Sequence, residues 1–194
     1  TLSPSSAASD VYKRQLIGYM CVGKTTVGRA LAKRLGLTFY DLDWYIEERF
    51  HTRVADIFAN EGEERFRDLE RRMLREVAEF ENIVLSCGGG TPCFFDNMDY
   101  MNHTGQTFYL NASTDTIIQH LNISRGERPL LKGKSEAELR DFINEQLQLR
   151  EPYYRQAQHI IDVNVLDSFD KISIVVDDIQ SKIISSDNYA KMEN

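Results

Sequence analysis

The stretch Gly18, Tyr19, Met20, Cys21, Val22, Gly23, Lys24, Thr25 has the spacing G-x-x-x-x-G-K-[ST] and runs directly into a helical pattern. A loop of this kind has few ways to fold. Its outer glycines let the chain turn back so that main-chain N–H groups converge, and the start of the helix adds its partial positive charge at the same point. Lys24 is then placed to reach the terminal phosphates of a nucleotide, and the Thr25 hydroxyl to ligate Mg2+. Four free positions let the pattern arise by chance, so context decides. Val27, Ala30, Leu31 and Leu35 recur at helical spacing right after Lys24, as the mechanism requires. The segment from Gly18 to Thr26 is therefore expected to hold a nucleoside triphosphate. The competing reading is a glycine turn that happens to precede a lysine.

A chain of 194 residues suits one domain with a full core and is too short for two large ones. A net charge of −7 with a pI near 5.2 argues against nucleic acid as a partner; basic residues that matter should gather around a small anion. Cys21, Cys87 and Cys93 offer neither a disulfide framework nor zinc spacing, and read as reduced thiols in a cytoplasm. His51, His103, His120 and His159 show no metal spacing either. No run approaches the roughly 18 apolar residues of a membrane span, so no membrane association is expected. This is the profile of a soluble small-molecule enzyme.

Residues 1–15 do not fit that profile. A Ser/Ala-rich start leads into Lys13, Arg14 and Gln15, where a buried parallel strand should be apolar, and only Leu16 and Ile17 read as strand. The stretch resembles translated adaptor read-through and is set aside as a non-native leader, disordered or ill-fitting. The alternative is a genuine polar tail forced into an edge-like strand.

Downstream, strands are expected at 37–41, 83–86, 106–110 and 159–163, and helices at 44–50, 54–58, 66–81, 96–103, 114–123, 139–149 and 172–183. Strands separated by helices predict a three-layer α/β/α fold on a five-stranded parallel sheet. Ligands should then lie at the carboxyl ends of the strands. Residues 16–184 form one domain, with a substrate region about 43–80. Residues 124–135, basic and without periodicity, read as a mobile lid, and 185–194 as a disordered tail.

Four constellations carry chemistry. Asp41 and Asp43 alternate onto one side at the end of a strand, where two carboxylates can support Mg2+ through water and accept from a substrate hydroxyl. The competing reading makes Asp43 the cap of a helix starting at Trp44. Arg67 and Glu70 are one turn apart and taken alone read as an exposed ion pair. Gly88, Gly89 and Gly90 after a strand let a ligand sit against the main chain. Arg125 and Arg128 lie on the lid segment, and Arg150 ends a helix just before Pro152.

In this order, G-x-x-x-x-G-K-T, D-x-D, F-R-x-x-E, G-G-G, R-P-L-L and R-x-P-x-Y resemble the shikimate kinase family over about residues 16–184, on the nucleoside-monophosphate-kinase type of fold. The resemblance implies ATP-dependent phosphorylation of the 3-hydroxyl of shikimate, with Mg2+ as cofactor and ATP and shikimate as the small-molecule partners of a monomer. It makes Lys24 and Thr25 serve phosphates and metal, with Asp41 supporting the metal through water. It makes Asp43 the acceptor for the attacking hydroxyl, and Arg67, Gly89, Gly90 and Arg150 the shikimate pocket. Glu70 would orient Arg67, Phe58 and Phe66 would line the apolar side, and Arg128 would swing onto the transferring phosphoryl group.

Three departures stand out. Cys21 occupies a loop position where the family usually has glycine, a strained choice if φ there is positive. The arginine near the adenine is replaced at Gln119-His120, and the leader intrudes on the first strand. A related kinase, such as one for gluconate, and a nucleotide binder without catalysis are the alternatives.

Overall fold

The computed structural model describes residues 13–123, 135–166 and 171–192. Five strands, β1 (Lys13–Ile17), β2 (Thr38–Asp41), β3 (Ile83–Ser86), β4 (Gln106–Asn111) and β5 (His159–Asp162), pair in parallel in the order β2-β3-β1-β4-β5. β1 sits at the centre, with Leu16 opposite Ser86 on one side and Phe108 on the other. The strand order reverses beside β1, and that switch opens a crevice at its carboxyl end. The helices are α1 (Lys24–Leu35), α2 (Leu42–Phe50), α3 (Val54–Val77), α4 (Asn97–Thr104), α5 (Thr114–Ile123), α6 (Glu136–Tyr154) and α7 (Ile172–Met192), with a 3-10 turn at Thr91–Cys93. The five-stranded parallel sheet is the one expected from the sequence, whereas the helices expected at 54–58 and 66–81 run together as α3, kinked at Gly62 (φ 84°).

Strand alternation assigns the faces. A Cβ on Gly28 of α1 would lie 2.5 Å from the Phe39 ring and 3.1 Å from Leu16 Cδ1, so α1 covers the face to which Leu16 points. Only glycine lets helix and sheet approach that closely. On the opposite face, Gln15 donates to the Met101 carbonyl of α4 at 2.8 Å, and Lys13 Nζ donates to the Ala78 carbonyl just past α3.

The segment set aside as leader is thus corrected at its end. Lys13, Arg14 and Gln15 form the first three residues of the central strand, and Arg14 and Gln15 are buried. Ladder pairing with both β3 and β4 supplies the backbone partners, and the polar side chains reach carbonyls at the layer edge. Helix boundaries move as well. α7 continues past residue 185 to Met192. α6 runs through Pro152 to Tyr154 instead of stopping at Arg150. Proline removes one helical hydrogen bond, and the fully buried Tyr154, donating to the Gly89 carbonyl at 2.5 Å, holds the turn beyond it. The expected lid, 124–135, lies almost wholly outside the described residues.

Candidate active site

The phosphate loop links β1 to α1 by three residues of positive φ: Gly18 (139°), Cys21 (62°) and Gly23 (95°). Two are glycines, for which that region carries no penalty. Cys21 carries a Cβ, and a non-glycine residue in the left-handed region is held there at a cost of about 1 kcal/mol. The strain anticipated at Cys21 is therefore present. His120 of α5 stands against the same residue, its Nδ1 2.7 Å from the Cys21 carbonyl oxygen.

Lys24 arches back over the loop and donates to the carbonyls of Gly18 (2.8 Å) and Tyr19 (2.7 Å). Burial lowers its ammonium to about 8, against the opposing pull of the Asp43 and Asp41 carboxylates. Thr25 Oγ1 donates to Asp41 Oδ2 at 3.0 Å, joining the start of α1 to the end of β2. The other Asp41 oxygen accepts from the Asp43 N–H at 3.2 Å, so Asp41, not Asp43, caps α2. The helix starts two residues earlier than its apolar pattern implied, and the capping reading of Asp43 falls away.

Asp43 sits in the first turn of α2 with its carboxyl pushed up to about 7 by burial, then by the neighbouring Glu70 and Asp41, with Lys24 pulling the other way. Glu70 is fully buried, and burial raises its carboxyl too, opposed by Arg67. Arg67 Nη1 donates to Glu70 Oε2 at 2.8 Å, and Thr91 Oγ1 donates to Glu70 Oε1 at 2.5 Å. Both carboxylate oxygens are thereby engaged. The exposed ion pair expected from spacing alone is in fact buried, because α3 turns this face onto the Gly88–Thr91 segment. The outer edge of the Arg67 guanidinium meets the exposed Glu63, 3.2 Å from Nε and 3.1 Å from Nη2. Phe58, Phe66 and Phe94 surround the guanidinium carbon at 5.7, 5.1 and 4.2 Å.

The three glycines are the seam between these groups. A Cβ on Gly88 would lie 3.1 Å from Asp43 Oδ1 and 3.2 Å from Glu70 Oε1. On Gly89 it would lie 3.4 Å from Arg150 Nη1 and 3.5 Å from the Met20 amide nitrogen, and on Gly90 2.5 Å from Arg67 Nη2. None of the three has positive φ, so close approach, not conformational freedom, requires glycine here. The Arg150 guanidinium lies 5.3 Å over the Tyr19 ring and donates to Gln146 at 2.9 Å.

The structure thus gathers Lys24, Thr25, Asp41, Asp43, Arg67, Glu70, Gly89, Gly90 and Arg150 around one crevice, with Phe58 and Phe66 beside Arg67. Thr26 is exposed on the first turn of α1, and Arg128 lies outside the described residues. Sequence reasoning missed Thr91, Phe94, Gln146, Tyr154 and the loop contact of His120. Thr91 and Phe94 follow the glycines directly, and that adjacency was the available signal. His120 carried none, because its partners are carbonyls far away in sequence.

The family model described as shikimate kinase matches residues 20–183. A shikimate kinase of Phocaeicola vulgatus is 51% identical over 168 residues, covering 87% of this chain and 96% of the relative. Among solved structures, shikimate kinase from Bacteroides thetaiotaomicron superposes with a TM-score of 0.86 at 49% identity, over 89% of this chain and 98% of that one. Shikimate kinase from Acinetobacter baumannii in complex with shikimate gives a TM-score of 0.79 at 31% identity, over 94% and 98%. The family model over most of the chain, the 51% identical relative and the superposition of folds agree, and the chain belongs to the shikimate kinase family.

Proposed function

We propose that this crevice transfers the γ-phosphoryl group of ATP to the 3-hydroxyl of shikimate. The observation that carries the assignment of residues is the glycine seam: Gly88 and Gly89 bring Asp43, Arg150 and the loop amide of Met20 against one strip of main chain, and Gly90 adds Arg67. Triphosphate and hydroxy acid then share one space. Arg67 and Arg150 are planar donors suited to the substrate carboxylate. Glu63, exposed and worth little as a partner, yields its place on Arg67 to that carboxylate, whereas Glu70 stays. Phe58 and Phe66 pack on the apolar side.

Asp43 accepts a hydrogen bond from the attacking hydroxyl and takes its proton as the new P–O bond forms and ADP leaves. A carboxyl near 7 suits that exchange, though a loose transition state asks mainly for positioning and charge neutralisation. Lys24 leaves the loop carbonyls to meet the phosphates, which return the negative partner its buried ammonium lacks. Arg128 is assigned to the phosphoryl group from the family resemblance alone.

Mg2+ fits the oxygen pair Thr25–Asp41 at the mouth of the loop, since this ion is usually held by one or two protein oxygens, waters and substrate phosphates. When bound it neutralises phosphate charge. We place the enzyme in the cytoplasm, where its cysteines, free thiols in this structure, stay reduced, and as a monomer. Light scattering after size exclusion tests the second point.

Coupled ADP release at saturating MgATP, with shikimate, gluconate and AMP as separate acceptors, tests the reaction. Turnover on shikimate alone is expected. Turnover on gluconate or AMP, or nucleotide binding with no turnover, defeats the proposal.

A further inference from the structure

His120 touches two acceptors. Its Nδ1 is 2.7 Å from the Cys21 carbonyl oxygen and its Nε2 2.5 Å from the Leu166 carbonyl oxygen. A carbonyl only accepts, so each contact needs a hydrogen on the ring nitrogen that faces it. The two carbonyls belong to different walls. Cys21 is the strained, left-handed residue of the phosphate loop. Leu166 lies four residues beyond β5 and packs on the same loop, its Cδ1 3.2 Å from where a Cβ on Gly23 would stand. That segment is separately anchored to the start of α5, because Asn164 Oδ1 accepts from the Ser113 N–H and the Thr116 hydroxyl at 2.8 Å each.

We propose that His120 is a positioning residue for the nucleotide: it ties the Cys21 carbonyl to the Leu166 segment and so holds the phosphate loop in its left-handed, phosphate-accepting turn. Where glycine would adopt that turn without penalty, cysteine needs a tether. The proposal rests on the reading of Gly18–Thr25 as the phosphate cradle.

The test is a double-mutant cycle read by calorimetric titration with MgATP, with shikimate binding followed separately by fluorescence of the single tryptophan, Trp44. His120→Ala should weaken MgATP binding on the order of tenfold, the value of one hydrogen bond, and leave shikimate affinity within about twofold. In a Cys21→Gly background the same substitution should weaken MgATP by no more than about twofold, because the turn no longer needs holding. Equal losses in both backgrounds, an unchanged MgATP affinity, or parallel losses of MgATP and shikimate each overturn the proposal. Should His120→Ala fail to fold, His120→Gln is read in the same two backgrounds: a loss of MgATP affinity that vanishes with Cys21→Gly is expected, and an equal loss in both ends the proposal. Lys24→Met retaining full MgATP affinity would instead sink the cradle itself, which separates the two failures.

Discussion

The two walls that the proposed function assigns to the crevice are built in opposite ways. The phosphate wall is contiguous, with residues 18–25 supplying main-chain groups, one lysine and a hydroxyl, and it is held from outside by Asp41 on Thr25 and by His120 on Cys21. The acceptor wall draws Asp43 from α2, Arg67 and Glu70 from α3, the glycines after β3, and Arg150 from α6. There side chains interlock: Glu70 is engaged by Arg67 and Thr91, Thr91 accepts through its carbonyl from Asn97 at 2.9 Å, and Tyr154 grips Gly89. A contiguous wall concentrates its work in one side chain, whereas in the distributed one the buried trio Arg67, Glu70 and Thr91 cannot lose a member without harming the fold.

The largest expected effect is on the phosphate wall. Lys24→Met should lower kcat by on the order of 10³-fold while the melting temperature holds or rises, since a buried ammonium is removed. A collapse of stability would show that Lys24 is structural and erase the contrast. Asp43→Asn is next, with turnover falling on the order of 10²-fold. Its stability effect has a definite sign. The folded-state carboxyl sits at about 7 against an ordinary 3.8, so between those values the folded chain holds a proton the unfolded chain releases. Stability therefore falls as pH rises through that window, and the full penalty persists above it. Asn removes the penalty, and the variant should melt about 5 °C higher than the parent at pH 8, with a smaller gap at pH 5.

On the acceptor wall, Arg67→Ala should raise the shikimate KM and also destabilise by about 3 kcal/mol, because Glu70 is left buried without its cation. Adding Glu70→Gln should recover most of the stability and none of the activity; urea melts beside kinetics separate the two. If Arg67→Ala melts like the parent, the acceptor wall is no more interlocked than the other. Gly90→Ala is milder. Its methyl would press on Arg67 Nη2, displacing the guanidinium and raising the shikimate KM about tenfold, with kcat less affected. Smallest is Arg14→Val in β1, which should raise stability by about 1 kcal/mol in chemical melts by exchanging a buried guanidinium for the apolar side chain a central strand favours. An unchanged or lower midpoint would mean that Arg14 suits its place.

The contrast also explains what could be read in advance. The phosphate wall was legible because its geometry is local: two glycines, a lysine and a hydroxyl within eight positions fix a loop on a helix start. Asp41 and Asp43 were legible as a pair, yet which one caps α2 depended on where β2 stopped pairing with β3, and that boundary is set across strands. Arg67 and Glu70 looked like a surface pair because spacing gives a helix face but not what covers it. Arg150 was misplaced at a helix end because proline is a strong local signal, overridden by the buried Tyr154 two residues beyond. Lys13, Arg14 and Gln15 were misjudged for the same reason, as composition opposed a strand that pairing on both sides supports.

By itself, then, the sequence determined the alternation of strand and helix and the spacing of the phosphate loop, which follow from periodicities within single elements, and the order of its motifs matched the shikimate kinase family. The tertiary structure alone decided that Glu70 is buried, that glycine is needed at 88–90 for closeness and not for φ, and that His120 reaches the strained carbonyl of Cys21. Each of those is a contact between residues distant along the chain, and burial and hydrogen-bond partners come into being only when the layers close.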